Sequence, residues 1–216
     1  MIIDHIIRGG WPAHIGMDSS LAQLLPRQYI ETVILDDISR VEGGIRNLHK
    51  IRLLLNSLAR NESTSAAKRA LKRDMKGHDA EDIDVETVTK YLDALERLFL
   101  LDNLPPFSTN IRSSVRVKQS GKRHLADPSL ACALMGVTAQ SLLSDLETLG
   151  FLFEALCERD LKIYAETFDA KLFYYQDYYG NEIDAVVEMP DGSWGASEIK
   201  LGANQLDSAA RNLLQI

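Results

Sequence analysis

The sequence predicts an α+β protein (α/β in the broad sense) with a helical N-terminal half and a small mixed sheet flanked by helices towards the C-terminus. Helical spacing carries the first part: Val85, Val88, Leu92, Leu95 and Phe99 follow at intervals of 3, 4, 3 and 4, one apolar stripe. Two strand-like runs carry the second, Gly180 to Glu188 and Ser193 to Lys200, which alternate apolar and polar residues across the turn signal Met189-Pro190-Asp191-Gly192. Composition agrees, since 216 residues with 45% hydrophobic and 25% charged can bury a core in one large or two small domains.

Along the chain, residues 1 to 18 form a short lead containing Gly9-Gly10-Trp11-Pro12. Residues 19 to 40 read as a helix with Leu21, Leu24, Leu25, Tyr29, Val33 and Ile34 on its apolar side, interrupted near Pro26. Ile45 to Arg60 and Ser63 to Met75 read as two more helices, the second carrying Lys68, Arg69, Lys72 and Arg73. A polar loop from Lys76 to Asp82 follows, and Asp84 is the expected N-cap of a helix from Val85 to Phe99. That helix has the place of the second helix of a helix-turn-helix or winged-helix unit. Its exposed Glu86, Asp93 and Glu96 suit phosphate poorly, so the helical unit reads as a packing or protein-docking module. Phe151 to Cys157 is helix-like, and Leu206 to Leu214 predicts a helix running up to the last residue, Ile216.

The C-terminal hairpin carries the chemistry. Alternation places Asp184, Glu198 and Lys200 on polar faces, with Ile183, Ala185, Val187 and Ile199 pointing the other way. A turn centred near residues 190 and 191 sets Asp184 roughly opposite Ser197 and within one position of Glu198. Two converging carboxylates suit Mg²⁺ or Mn²⁺, which keep several waters for substrate phosphate oxygens. Lys200 would orient the attacking water and offset phosphate charge, so the expected reaction is phosphodiester hydrolysis. Acid-x-Lys alone is common here, as in Asp74-Met75-Lys76, Asp160-Leu161-Lys162 and Asp169-Ala170-Lys171; the inward acid on the preceding strand distinguishes Glu198-Ile199-Lys200. The competing reading is a solvated hairpin with a surface ion pair worth about 0 to 1 kcal/mol.

Nucleic acid is the expected partner of such a site, and the densest basic run is Arg112, Arg116, Lys118, Lys122, Arg123 and His124, with no acid between Ile111 and His124. Alternation from Arg112 to Lys118 suggests a strand and Gln119-Ser120-Gly121 a turn. A solvated hairpin offsetting the net charge of −7 explains the same run. The aromatics Phe168, Phe173, Tyr174, Tyr175, Tyr178 and Tyr179 read first as a packed strand face with turn tyrosines, and second as base-stacking surfaces.

Cys132 and Cys157 sit in apolar helical contexts and read as core residues, and the five scattered histidines lack zinc-ligand spacing. No apolar run approaches the ~18 residues of a membrane span and Met1 to His5 has no basic leader, so a cytoplasmic protein without membrane contact is expected. No Gly-x-x-x-x-Gly-Lys-Ser/Thr loop occurs, and Gly121-Lys122-Arg123 does not supply one, so no ATPase activity is expected of this chain.

Asp184 followed by Glu198-Ile199-Lys200 resembles the PD-(D/E)xK motif of the restriction-endonuclease-like fold. By that resemblance Glu154, on the preceding helix, is the matching accessory acid. More widely, the chain resembles the C-terminal part of AAA+ type ATPase family proteins that carry domain of unknown function 4143. The residues behind this are Arg8 to Pro12, Tyr29 to Asp37, Tyr91 to Phe99, His124 to Leu130 and the hairpin from Glu182 to Lys200. The resemblance implies residues 1–40 as a remnant of an ATPase lid, 41–110 as a winged-helix-like domain and 111–216 as a nuclease-like domain shortened at Ile216. It implies Asp184 and Glu198 as metal ligands and Lys200 and Glu154 as catalytic residues. An ATPase domain or partner protein is the implied companion, and a non-catalytic DNA- or protein-docking module is the alternative function.

Overall fold

The computed structural model describes residues 1–17, 19–41, 47–76, 83–110, 112–114 and 119–215. Helices α1 (Ile2–Arg8), α2 (Ser19–Ala22), α3 (Leu24–Thr32), α4 (Leu48–Arg60), α5 (Lys68–Lys76) and α6 (Val85–Arg97) make the N-terminal half. Helices α7 (Pro128–Met135), α8 (Ala139–Ser144) and α9 (Leu146–Glu166) lead into strands β1 (Lys171–Gln176), β2 (Glu182–Glu188) and β3 (Trp194–Ser197), and α10 (Leu206–Gln215) follows. The architecture is α+β. One apolar core runs from Ile6 on α1 through Ile51 and Leu54 on α4, Leu92 and Leu95 on α6 and Leu130 on α7 to Leu152 on α9. Each such fully buried Leu or Ile contributes about 1.5 to 3 kcal/mol.

Local chemistry explains where elements begin and end. Pro26 sits inside the first turn of α3, where no backbone donor is needed, so the break falls at Gln23 instead of at the proline. A π-helical turn, Val33–Asp37, and a 3₁₀ turn, Ile38–Arg40, then carry the chain on. Asn47 caps α4 by accepting from the Lys50 amide at 3.0 Å. The helix expected from Ser63 starts only at Lys68, because Ser63 takes a left-handed φ of 57° and its N–H donates to the Arg123 carbonyl at 2.8 Å. Asp84 caps α6 as expected, accepting from Thr87 N–H at 2.5 Å. The apolar stripe of α6 ends at Leu95: Phe99 lies past the helix with φ 55° and is 83% exposed. The polar loop residues 77–82 lie outside the described residues.

After α6 the chain makes a two-legged hairpin. Leu104 and Lys122 exchange both backbone hydrogen bonds at 2.9 Å, and Leu101 bridges Leu125. On its other side the second leg pairs with Thr64, whose carbonyl accepts from Arg123 N–H at 2.7 Å. Arg112 lies in a turn, its N–H donating to Asn110 Oδ1 at 3.0 Å, so the described part of the expected 112–118 strand is not strand.

The three strands form an antiparallel sheet in the order β1-β2-β3, and the one parallel contact among the described residues is the isolated bridge Pro106 to Tyr174. The sheet is therefore antiparallel where a mixed one was expected. Ala185 faces Ser197 and Glu188 faces Trp194, with Met189 N–H donating to Ser193 O at 2.8 Å. The register is one residue away from the expected one: extended beyond β3, it places Asp184 level with Glu198. Leu172, Tyr174 and Ala185 pack on Leu161 of α9, while Phe173, Ile183 and Val186 pack with Phe107 and Leu213.

The lead is anchored. Asp127 accepts from Gly10 N–H at 2.9 Å and caps α7 through Ser129 N–H at 2.8 Å, and it pairs with Arg159 of α9. Trp11 Nε1 donates to Ser129 Oγ at 2.9 Å. Gly9, at φ 70°, passes so close that a Cβ there would lie 2.5 Å from Asp127 Oδ1. We expect Asp127→Ala to lower the unfolding free energy by about 2 kcal/mol in urea titration, through loss of a cap and of a buried charge-assisted bond. A loss below about 0.5 kcal/mol would show that this node does not hold the lead.

Candidate functional site

Helix α9 positions the first acids. Asp145 caps it, accepting from Thr148 N–H at 3.1 Å, and its 21 residues carry Glu154 and Glu158 one turn apart on one face. Strand β2 brings Asp184, the segment after β3 brings Glu198 and Lys200, and the second hairpin leg brings Lys122 and His124.

Asp184 and Glu198 meet on a single cation. Lys200 Nζ lies 2.9 Å from Asp184 Oδ2 and 2.5 Å from Glu198 Oε2. Asp184 Oδ2 also accepts from Ile199 N–H at 2.7 Å. Asn212 on α10 donates to Glu198 Oε1 at 2.7 Å and to the Glu182 carbonyl at 3.1 Å, fixing the second acid. Deeper in, the Lys122 side chain is 1% exposed, and its Nζ contacts Glu154 Oε1, lies 3.0 Å from Glu158 Oε1 and 3.9 Å from Asp184 Oδ1. His124 Nδ1 lies 3.1 Å from Glu62 Oε1, at the end of α4. Its Nε2 lies 3.0 Å from Glu158 Oε2 but off the hydrogen-bonding direction, so that contact is an ion pair without an aligned bond. Glu62 accepts in addition from Leu125 N–H at 3.2 Å.

Burial and charge set the protonation states. Burial pushes Glu154 up to about 8, with Glu158 and Asp184 adding to the rise and Lys122 opposing it. Burial alone would lower His124, but the Glu158 and Glu62 carboxylates against its two ring nitrogens outweigh it and raise the imidazole to about 9. Burial likewise opposes the Lys122 ammonium, and Glu158, Glu154 and Asp184 raise it above its ordinary value. For Lys200, burial is again opposed and outweighed by Glu198 and Asp184, so both lysines stay charged. Glu62 and Glu182 are raised, chiefly by burial.

The structure brings Asp184, Glu198, Lys200 and Glu154 together. A cleft of about 600 Å³ opens onto Glu154 and Lys200, with Glu147, Phe151, Asn204 and Gln205 among its walls. A larger cavity of about 730 Å³ lies on the Phe107, Ile183 and Trp194 side of the sheet, away from these acids and mostly apolar. The end of the basic run, Lys122 to His124, is not the solvated surface expected of it. Lys122 and Arg123 are buried at 1% and 6% exposure, and Arg123 Nε donates to the Ala66 carbonyl at 3.1 Å. The reason is the hairpin: residues 122 to 125 are its inner leg, flanked by Thr64 and by Leu101 to Leu104, and Lys122 and His124 meet carboxylates within the chain. Arg112 is exposed, and Arg116 and Lys118 lie outside the described residues. Phe173 and Tyr174 are buried strand residues, whereas Phe168, Tyr178 and Tyr179 are exposed. Cys132 is buried, Cys157 is half-buried, and both are free. No helix among the described residues is long and apolar enough to cross a membrane.

Sequence reasoning missed the inward role of Lys122 and His124, and with it Glu62, Glu158 and Asn212. Glu158 had a signal, a second acid one turn beyond Glu154 on a buried helix; the others are joined only by tertiary contact. Among the described residues no three His, Cys, Asp or Glu side chains are grouped to hold a metal. The donor chemistry fits Mg²⁺ or Mn²⁺ in a sparser form, two carboxylates aimed at one cation position with the remaining positions left to water and substrate.

Because the folded Glu154 binds its proton more tightly than the unfolded chain, its contribution to stability is complete below its ordinary value of 4.5 and is lost as pH rises through about 8. Glu154→Gln should therefore gain about 1 to 2 kcal/mol on the parent between pH 6 and pH 9 in urea unfolding. A difference that stays constant over that range would contradict the buried, proton-holding Glu154.

Two family models match the chain. One, a domain of unknown function (DUF8612), matches residues 1–141, and the other, a domain of unknown function (DUF4143), matches residues 149–216. No curated protein and no solved structure matches it. The DUF4143 resemblance thus holds for the C-terminal segment with Glu154, Asp184, Glu198 and Lys200, while the residues from Arg8 to Leu130 fall within the DUF8612 match. Through residues 1–141 the chain belongs to the DUF8612 family, followed by a DUF4143 segment.

Proposed function

We propose that the chain carries a Mg²⁺- or Mn²⁺-dependent phosphodiester-hydrolysing site of nuclease type. The convergence of Asp184 and Glu198 on one cation position, at 2.9 and 2.5 Å, beside a cleft of about 600 Å³ is the observation that supports it. Asp184 and Glu198 would hold the metal, and Ile199 N–H and Asn212 keep the two carboxylates aimed. A Mg²⁺ or Mn²⁺ ion held there would supply Lewis-acid chemistry towards phosphate and water. Lys200 is the outer lysine, with 27% of its side chain exposed, and lines the cleft, where its ammonium offsets charge on the phosphate and orients the water. Glu154 lines the same cleft and keeps its proton near neutral pH, which suits it to protonate the leaving oxygen. Of the basic residues, Arg112, with Arg116 and Lys118 on the same stretch of sequence, remain to position the nucleic-acid backbone.

A second reading is a non-catalytic DNA- or protein-docking module that works with an AAA+ type ATPase, as the PD-(D/E)xK and ATPase-family resemblances allow. The observation favouring it is that Lys122, Lys200 and His124 already face the carboxylates from within the chain.

Calorimetric titration with Mn²⁺ separates the two. The parent is expected to bind, and Asp184→Asn, which keeps the side-chain shape, to bind at least tenfold more weakly, a loss of about 1.4 kcal/mol or more. Equal binding by parent and variant would remove Asp184 as a ligand, and no binding by either would favour the docking module. In cleavage assays on single- and double-stranded DNA and RNA, Lys200→Met should lose activity while retaining Mn²⁺ binding.

A further inference from the structure

We propose that Lys122 is the positioning residue of this site, an internal cation delivered by the DUF8612 segment that holds Glu154 and Asp184 of the DUF4143 segment in place. The proposal rests on the nuclease-type reading for its consequence and on geometry for its substance. Lys122 lies on the inner hairpin leg, inside the 1–141 match, yet three carboxylates from the 149–216 match surround its Nζ: Glu154, Glu158 at 3.0 Å and Asp184 at 3.9 Å. Its backbone is fixed as firmly as its head, since N–H and carbonyl both pair with Leu104 at 2.9 Å. Behind it, His124 on the same leg contacts Glu158 and Glu62, so Glu158 is held from both sides. The two lysines at Asp184 therefore differ in kind. Lys122, with 1% of its side chain exposed, faces Oδ1 from inside at 3.9 Å, an ion pair beyond hydrogen-bond reach; Lys200, with 27% exposed, donates to Oδ2 at 2.9 Å from the cleft and has room to turn towards a substrate. A metal-ligand pair built from a strand and an unpaired segment gains from such an anchor, because beside the Ile199 amide the inner ammonium keeps the charge of Asp184 compensated when the outer lysine moves. The site is thus composite, and residues 149–216 do not hold it without the preceding segment.

Lys122→Met tests this through two readouts. The first is independent of metal: the Ile199 amide, which donates to Asp184 Oδ2 at 2.7 Å, should exchange its hydrogen at least about tenfold faster in the variant and shift upfield in its proton resonance, while amides on α4 and α6 keep the parent's protection. The second is Mn²⁺ affinity, expected to fall at least about tenfold in the folded variant. Unchanged Ile199 exchange would overturn the positioning role, whether or not the parent binds Mn²⁺; failure of the parent to bind Mn²⁺ would strike the nuclease-type reading alone. Tighter Mn²⁺ binding by Lys122→Met would also overturn the proposal, since it would make the inner ammonium a competitor of the metal. Should Lys122→Met fail to fold, Glu158→Gln keeps the lysine and removes one of its anchors. Ile199 exchange should then rise at least about threefold, and parent-like exchange would overturn the proposal equally.

Discussion

A lysine ammonium shut away from water is the constraint around which the C-terminal half is arranged. Left without counter-charges, the Lys122 head group would cost several kcal/mol to bury, so the fold must bring carboxylates to it and hold them. Glu158 of α9 and Asp184 of β2 supply them, and Glu154, one turn before Glu158, adds a proton-holding carboxyl group. That requirement ties together elements distant in sequence: the hairpin leg fixes the lysine, the capped α9 fixes Glu154 and Glu158, and the β2 register fixes Asp184. The ladder of Thr64, Arg123, Leu104 and Lys122 backbone bonds joins the same point to the helical half.

The charges around that point explain the protonation states of its acids. Glu62, Glu154, Glu158, Glu182, Asp184 and Glu198 gather near Lys122, His124 and Lys200, six acids against three bases. Full ionisation would leave three negative charges uncompensated in a largely buried setting, and the upward shifts of Glu62, Glu154 and Glu182 are the response: protons are retained where positive charge is short. On the proposed reading, a divalent ion would meet the same shortage by a different route. Glu154 and Lys200 open onto the cleft, while Glu62 is closed in by His124 and the Leu125 amide.

Much of this site was legible in the sequence because its outer members announce themselves locally. The alternation around Asp184, the turn at Pro190 and Glu198-Ile199-Lys200 are short-range features, and Glu154 followed from the resemblance and an apolar helical run. The register came out one residue away because the tight turn runs from Met189 to Ser193, and turn geometry fixes register only when the turn itself is known. The inner members were illegible for a physical reason. An acid-free run of Lys122, Arg123 and His124 has the composition of a solvated surface, and only the tertiary arrangement, with Thr64 on one side and Leu101 to Leu104 on the other, turns it inward. Glu62 and Asn212 face partners 62 and 14 residues away, contacts without a local pattern. In the helical half, Asp84 as a cap was legible from one residue, whereas Phe99 continued the apolar period past a helix that its own left-handed backbone closes.

Diffraction from Mn²⁺-soaked crystals, collected near the manganese absorption edge, tests the central assignment most directly. An anomalous peak bonded to Asp184 and Glu198, with Lys122 still among its three carboxylates and the Lys200 ammonium turned towards the cleft, is the expected result. No peak at that position, with Lys200 still bridging Asp184 and Glu198, would contradict it and leave the charged cluster as a self-contained structural joint between the two segments.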